Sequence, residues 1–109
     1  MRYSFQQMNY FLVCVVMMLK IRQKAQFKKD LKKAILDRKR NTEPLKTLIN
    51  RLIVTGTVPE TFKQHQLRGN WKPCMECHIQ PDFLLIWDID WEKQELILIR
   101  CGSHSELFG

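Results

Sequence analysis

One stretch limits the fold more than any other: Phe83-Leu84-Leu85-Ile86-Trp87. Pro81-Asp82 punctuates the chain before it and Asp88 follows it. Five consecutive apolar residues cannot turn one face to water as an alternating strand does. The run therefore predicts a central strand covered on both faces. A chain of 109 residues makes one domain, so both covers must come from the same small fold.

The flanking segments supply candidates. Trp71 to Ile79 predicts a strand, with Pro73 near its start, where proline is tolerated. Asp88 to Gln94 reads as a hairpin connection, Glu95 to Arg100 as a further strand broken by Gly102, and Ser103 to Gly109 as a short tail. Upstream, Leu19-Lys20-Ile21-Arg22 alternates and predicts a half-buried strand. From Lys24 the period changes. Phe27, Leu31 and Ile35, with Ala34 beside them, trace an amphipathic helix that Asn41 ends, with lysines on its opposite face. Thr42-Glu43-Pro44 reads as a cap with proline in the first turn. Leu45, Leu48, Ile49, Leu52 and Ile53 form a second stripe, which Gly56 stops. Thr57 to Asn70 has no period and predicts a loop. The order is β-α-α-β-β-β: an α+β domain with a helical hairpin packed on a mostly antiparallel sheet.

Charge is unevenly placed. The net charge is +7, yet residues 19–40 hold ten Lys/Arg against Asp30 and Asp37. A basic face that includes Lys28, Lys29, Lys32 and Lys33 suggests a polyanionic partner. Ahead of it, residues 10–19 form an apolar run, too short to span a membrane as a helix. The run fits a signal-peptide core, but no small-x-small cleavage site follows. The block of Lys and Arg that begins at Lys20 favours the cytoplasmic side. Met17 and Met18 offer internal starts, and regular patterning begins at Leu19. Residues 1–17 are therefore read as an extension from a mis-assigned start, residues 18–109 as the domain, and the location as cytoplasmic with no membrane partner.

Cys74-Met75-Glu76-Cys77-His78 fits the haem-attachment pattern C-x-x-C-H letter for letter. Its surroundings do not fit. Pro81 forbids a helix continuing from the motif, and two strands follow where a helical pocket is needed. A zinc site would require Cys101 and His104 to join Cys74, Cys77 and His78, because there is no second C-x-x-C pair. The pattern reads instead as a strand that ends in a useful histidine, with no metal or cofactor expected.

The chain has three histidines, His65, His78 and His104, all in strand ends or loops of one half, with Asp82 a turn away from His78. No phosphate-cradling glycine loop and no G-x-S-x-G elbow is present. A set of imidazoles and a carboxylate suits phosphodiester cleavage in RNA. The 2′-hydroxyl must lose a proton and the 5′-oxygen must gain one, and histidine does both near neutral pH. A nearby cation would stabilise charge on the phosphorane oxygens.

Three blocks carry a resemblance: His65-x-Leu67-x-Gly69-x-Trp71-Lys72, His78-x-x-Pro81-Asp82-x-x-Leu85-Ile86-Trp87, and Arg100-x-Gly102-x-His104-x-x-Leu107-Phe108-Gly109. In this order and spacing residues 18–109 resemble the YafQ branch of the RelE/ParE toxin superfamily. The resemblance implies a RelE-like fold and a bacterial toxin that cleaves mRNA in the ribosomal A site, with ribosome and mRNA as targets and a cognate antitoxin protein as partner. It implies an active site of His65, His78, Asp82, His104 and Phe108. Asp82 and His104 stand nearest the proton transfers, His65 and His78 assist or bind phosphate, and Phe108 stacks on a base. The family's usual arginine near His78 has no counterpart here, so a cation at the phosphate is either missing or supplied by Arg100 or Lys72. Two other readings are a gyrase-targeting toxin of the same superfamily, which needs no histidine set, and a non-catalytic RNA-binding module built on the basic helix.

Overall fold

Residues 18–109 are described by the structure, a computed structural model; the reading of residues 1–17 lies outside them. Along the chain lie Lys20–Gln23 (β1), Ala25–Leu36 (α1), Glu43–Thr55 (α2), His65–Gln66 (β2), Met75–Gln80 (β3), Phe83–Asp90 (β4), Glu95–Gly102 (β5) and His104–Phe108 (α3). The apolar run forms the first five residues of β4, the middle strand of a sheet ordered β1-β5-β4-β3-β2. The β1–β5 pair is parallel and the others are antiparallel. An α+β domain with a mostly antiparallel sheet is what the sequence predicts.

Both faces of β4 are covered, by different means. Phe83, Leu85 and Trp87 meet Phe27, Ala34, Leu45, Leu48 and Leu52 of the two helices, together with Cys77, Ile79, Leu96, Leu98 and Cys101 of neighbouring strands. Leu84 and Ile86 point the other way, to a smaller cluster with Leu107 of α3 and partly buried Leu67, Trp71, Cys74 and Ile99. The helices thus take one face, and the C-terminal helix takes part of the other. The remainder of that second face is where chemistry can sit.

Four details differ from the sequence reading. α1 ends at Leu36 rather than near Asn41, because the Asp37 carboxylate accepts a hydrogen bond from the Lys39 N–H at 3.0 Å, and such a local turn competes with the helix. The buried stripe of α1 is Phe27, Asp30 and Ala34, while Ile35 is 62% exposed. At 100° per residue Ile35 stands about 80° round from Phe27, whereas Ala34 stands about 20° away on the other side. Asp30 belongs to that inward side, where Arg100 meets it: the guanidinium donates from Nε at 2.7 Å and from Nη2 at 3.1 Å, and the Cys101 N–H donates at 3.2 Å. The expected loop before Trp71 contains a two-residue strand, too short to show a period. The expected tail contains α3, which opens on a capping box between Ser103 and Glu106.

The second stripe is borne out. Leu45, Leu48 and Leu52 are buried, Ile49 and Ile53 pack against the core, and Gly56 closes α2 in a left-handed conformation at φ 75°. A Cβ there would stand 2.7 Å from the Trp91 ring, so both backbone and space call for glycine.

The rotated stripe sets an expectation. Asp30→Ala leaves a half-buried guanidinium and the Cys101 N–H without their acceptor, and should lower stability by about 2–3 kcal/mol. Ile35→Ala should change it by no more than about 0.5 kcal/mol. Urea unfolding of the two variants checks both; equal losses would restore the stripe as the sequence drew it.

Candidate active site

Strand register puts the histidines on one face. His65 of β2 lies opposite Glu76 of β3, and His78 lies opposite Leu84 of β4. Glu76 and His78 therefore share the side of Leu84 and Ile86, away from the two long helices. Asp82 sits in the β3–β4 turn, and His104 is the first residue of α3. The rings form a row: His65 and His78 have centroids 6.4 Å apart, and His78 and His104 5.7 Å, edge to face.

Asp82 fixes His104 twice. Its Oδ1 accepts from the His104 backbone N–H at 2.9 Å and stands 2.8 Å from Nδ1 of the ring. An ionised carboxylate can only accept, so Nδ1 carries the proton and Nε2 is left to exchange one with a substrate. The backbone N–H of His104, followed by its ring, holds the Asp82 carboxyl below its ordinary range; the nearby Arg40 adds a smaller pull.

A buried carboxylate organises the other two rings. Glu76 Oε1 lies 3.2 Å from His65 Nε2 and 3.9 Å from His78 Nε2. His65 Nδ1 meets the Lys63 carbonyl oxygen at 3.0 Å, so both of its nitrogens face acceptors. Phe108, at the end of α3, is exposed and packs edge to face on Trp71 at 5.6 Å.

The remaining candidates spread out. Lys28, Lys29, Lys32 and Lys33 are exposed along α1 and Lys72 is exposed before β3, but Lys33 is paired with Glu106 at 2.6 Å. Arg100 is turned to Asp30 rather than towards the histidine row. The cation near Asp82 is Arg40, whose guanidinium lies over the Phe83 ring at 5.2 Å. Glu76, Trp71 and Arg40 were missed by sequence reasoning. Period-2 alternation from His78 would have placed Glu76 on the histidine face, whereas nothing local separates Arg40 from the rest of the basic run.

The haem-like pattern is split by the pleat. Cys77 and Cys101 lie in the core beneath the helices, opposite the face of His78. Burial pushes both thiols up to about 12, so they remain protonated and poor ligands.

The YafQ family, described as the bacterial toxin of a type II toxin-antitoxin system, matches residues 19–109. The chain belongs to the YafQ family of bacterial toxins. It is 36% identical over 90 residues, 82% of its length and 95% of the relative's, to the mRNA interferase toxin YafQ of Escherichia coli K12. The E. coli DinJ-YafQ toxin-antitoxin complex superposes with a TM-score of 0.74 at 33% identity, covering 84% of this chain and 99% of that one. A copper-bound mutant toxin from Helicobacter pylori superposes at 0.76 with 42% identity, covering 84% and 100%. In the present chain no three His, Cys, Asp or Glu side chains among the described residues converge as a metal ion would require.

The Asp82 contact has a pH signature. A carboxyl held below its ordinary value contributes stability that is complete above the unfolded pKa and fades as pH falls through the folded one. Carboxyl NMR should find Asp82 titrating below the ordinary aspartate value of about 3.9, with the His104 amide signal shifting at the same midpoint. An ordinary midpoint would mean that the two residues do not hold each other in solution.

Proposed function

We propose that this YafQ-family toxin is an endoribonuclease that cleaves mRNA on the ribosome, in the cytoplasm, by attack of a 2′-hydroxyl on the adjacent phosphorus, and that a cognate antitoxin protein neutralises it. The observation that carries the reading is the convergence of His65, His78, Asp82 and His104 on one open sheet face in a chain whose relative is an mRNA interferase by name. The solved toxin-antitoxin complex of a relative supports the antitoxin as partner.

The chemistry follows from the hydrogen bonds. Asp82 keeps the proton of His104 on Nδ1, so Nε2 is the atom that takes a proton from, or gives one to, an RNA oxygen. His65, whose two nitrogens face Glu76 and the Lys63 carbonyl, would take part once the substrate displaces one of those contacts, and His78, 3.9 Å from Glu76, would present an N–H to the phosphate oxygens or take the second transfer. Donors aimed at charge that develops in the transition state accelerate the step more than those that bind the ground state. Phe108, braced by Trp71, offers its face to a base. Lys72 and the lysines of α1 draw the polyanion in, while Arg100 acts through Asp30 on the fold. Residues 1–17 take no part in the reaction, and a chain begun at Met18 should act like the full one.

Two measurements check the reading. His104→Ala should slow single-turnover cleavage of a programmed ribosome roughly 10²–10⁴-fold, with ribosome binding and folding nearly intact and a 2′,3′-cyclic phosphate as the wild-type product. Asp82→Asn should follow it if Asp82 shares the proton work. Wild-type rates from both variants would remove the catalytic assignment and favour the gyrase-targeting or RNA-binding readings. Neutralising Lys28, Lys29 and Lys32 together should weaken ribosome binding and flatten its salt dependence, because each phosphate contact releases counterions. An unchanged salt slope would assign that face to another partner.

A further inference from the structure

His104 is fastened to Asp82 on one side, but the helix that carries it is fastened on the other side by a group the reaction does not use. Glu106 accepts from the Ser103 N–H at 2.7 Å and pairs with Lys33 Nζ at 2.6 Å and with the Arg40 guanidinium. Lys33 lies in the last turn of α1, and Arg40 lies in the turn that follows. The α1 region and the C-terminal helix, distant in sequence, therefore meet at one carboxylate. Its hydrogen bond with Lys33, then that with the Ser103 N–H, holds the carboxyl far below its ordinary range, so the charge persists at any working pH. Gly102 leaves room for it, since a Cβ there would stand 3.0 Å from Glu106 Oε1. Beside the group an open groove of about 250 Å³ is lined by Lys29, Asp30 and Lys33 of α1, by Arg40 and Arg100, and by Glu106 of α3. The Lys33 and Arg40 contacts to Glu106 cross its rim.

A five-residue helix has no stability of its own in water. Its position is set by what anchors it, which here means Leu107 against Leu84 and Ile86, the Asp82 contact and Glu106. The Asp82 contact is exposed and therefore weak alone. We propose that Glu106, gripped by Lys33 and Arg40, is a positioning residue that holds α3 so that the His104 ring meets Asp82 and keeps Nε2 aimed at the substrate. The effect on rate rests on the ribonuclease reading; the effect on geometry does not.

The test uses the full chain and two readouts. Glu106→Gln keeps an acceptor for the Ser103 N–H but loses the charge that Lys33 and Arg40 grip. Glu106→Ala loses both. Displacements near 1 Å can cost about a hundredfold in rate, so single-turnover cleavage should fall about tenfold in Glu106→Gln and about a hundredfold in Glu106→Ala, with ribosome binding unchanged. In both variants the Asp82 carboxyl midpoint should rise towards the ordinary aspartate value, because the His104 donors are no longer held on it. The variant Lys33→Met, which leaves Arg40 beside Asp82, should move both readouts in the same direction as Glu106→Gln. An Asp82 midpoint that does not move in Glu106→Ala would overturn the proposal, as would a rate loss explained wholly by the unfolded fraction. Should Glu106→Ala fail to fold, the near-isosteric Glu106→Gln decides. If the wild-type chain cleaves no mRNA, the ribonuclease reading falls, and the Asp82 midpoint alone decides the positioning role.

Discussion

The two-sided burial of β4 is the constraint from which the rest of the molecule follows. A strand whose consecutive side chains are all apolar needs a cover on each face. Two helices joined by a short turn can cover only one. The other face is covered in part, by Leu107 and by Leu67, Trp71 and Cys74 from the segment around β2. That partial cover leaves the outer reaches of β2 and β3 open, and His65 and His78 stand there. The open strip thus owes its existence to an apolar requirement and its chemistry to the polar residues at its edges.

Charge is used in two distinct ways. On the outer surface of α1 it is dispersed and solvated. Where α1 meets β5 and α3 it is paired: Asp30 with Arg100, Glu106 with Lys33 and Arg40. Such pairs contribute less net stability than burial of the same volume of hydrocarbon would, but their geometry admits few alternatives. Among the described residues three buried polar side-chain atoms lack a hydrogen-bond partner, the Trp87 indole N–H and one oxygen each of Gln94 and Glu95. The Trp87 ring fills the space between the sheet and the helices.

Much of this was legible in the sequence, for physical reasons. The continuous apolar run of β4 and the stripe of α2 are signals that only one kind of burial satisfies, and both were read correctly. That the three imidazoles lie near one another was expected from the three motif blocks that resemble the YafQ branch, and the ring spacings agree with it. What could not be read depends on side chains that meet across the fold. Asp30 looks like a solvent residue on a lysine-rich helix until Arg100, seventy residues later, is known to face it. Glu76 is one carboxylate among several until strand register sets it between two imidazoles. Arg100 and Lys72 were natural choices for a missing cation. Arg40 comes nearer Asp82 because α1 stops at Leu36, and a local Asx-type turn decided that.

One feature of the Asp82 turn ties together properties that are usually independent. A single oxygen receives both the first backbone N–H of α3 and the ring N–H of His104. Loss of that one carboxylate therefore removes two constraints at once, on the imidazole and on the first residue of its helix. In an ordinary orienting pair the ring and its backbone are steered by different partners. Here both contacts converge on one atom, so a change at Asp82 reaches the ring and the backbone that carries it together, while Leu107 and Glu106 go on holding the rest of α3.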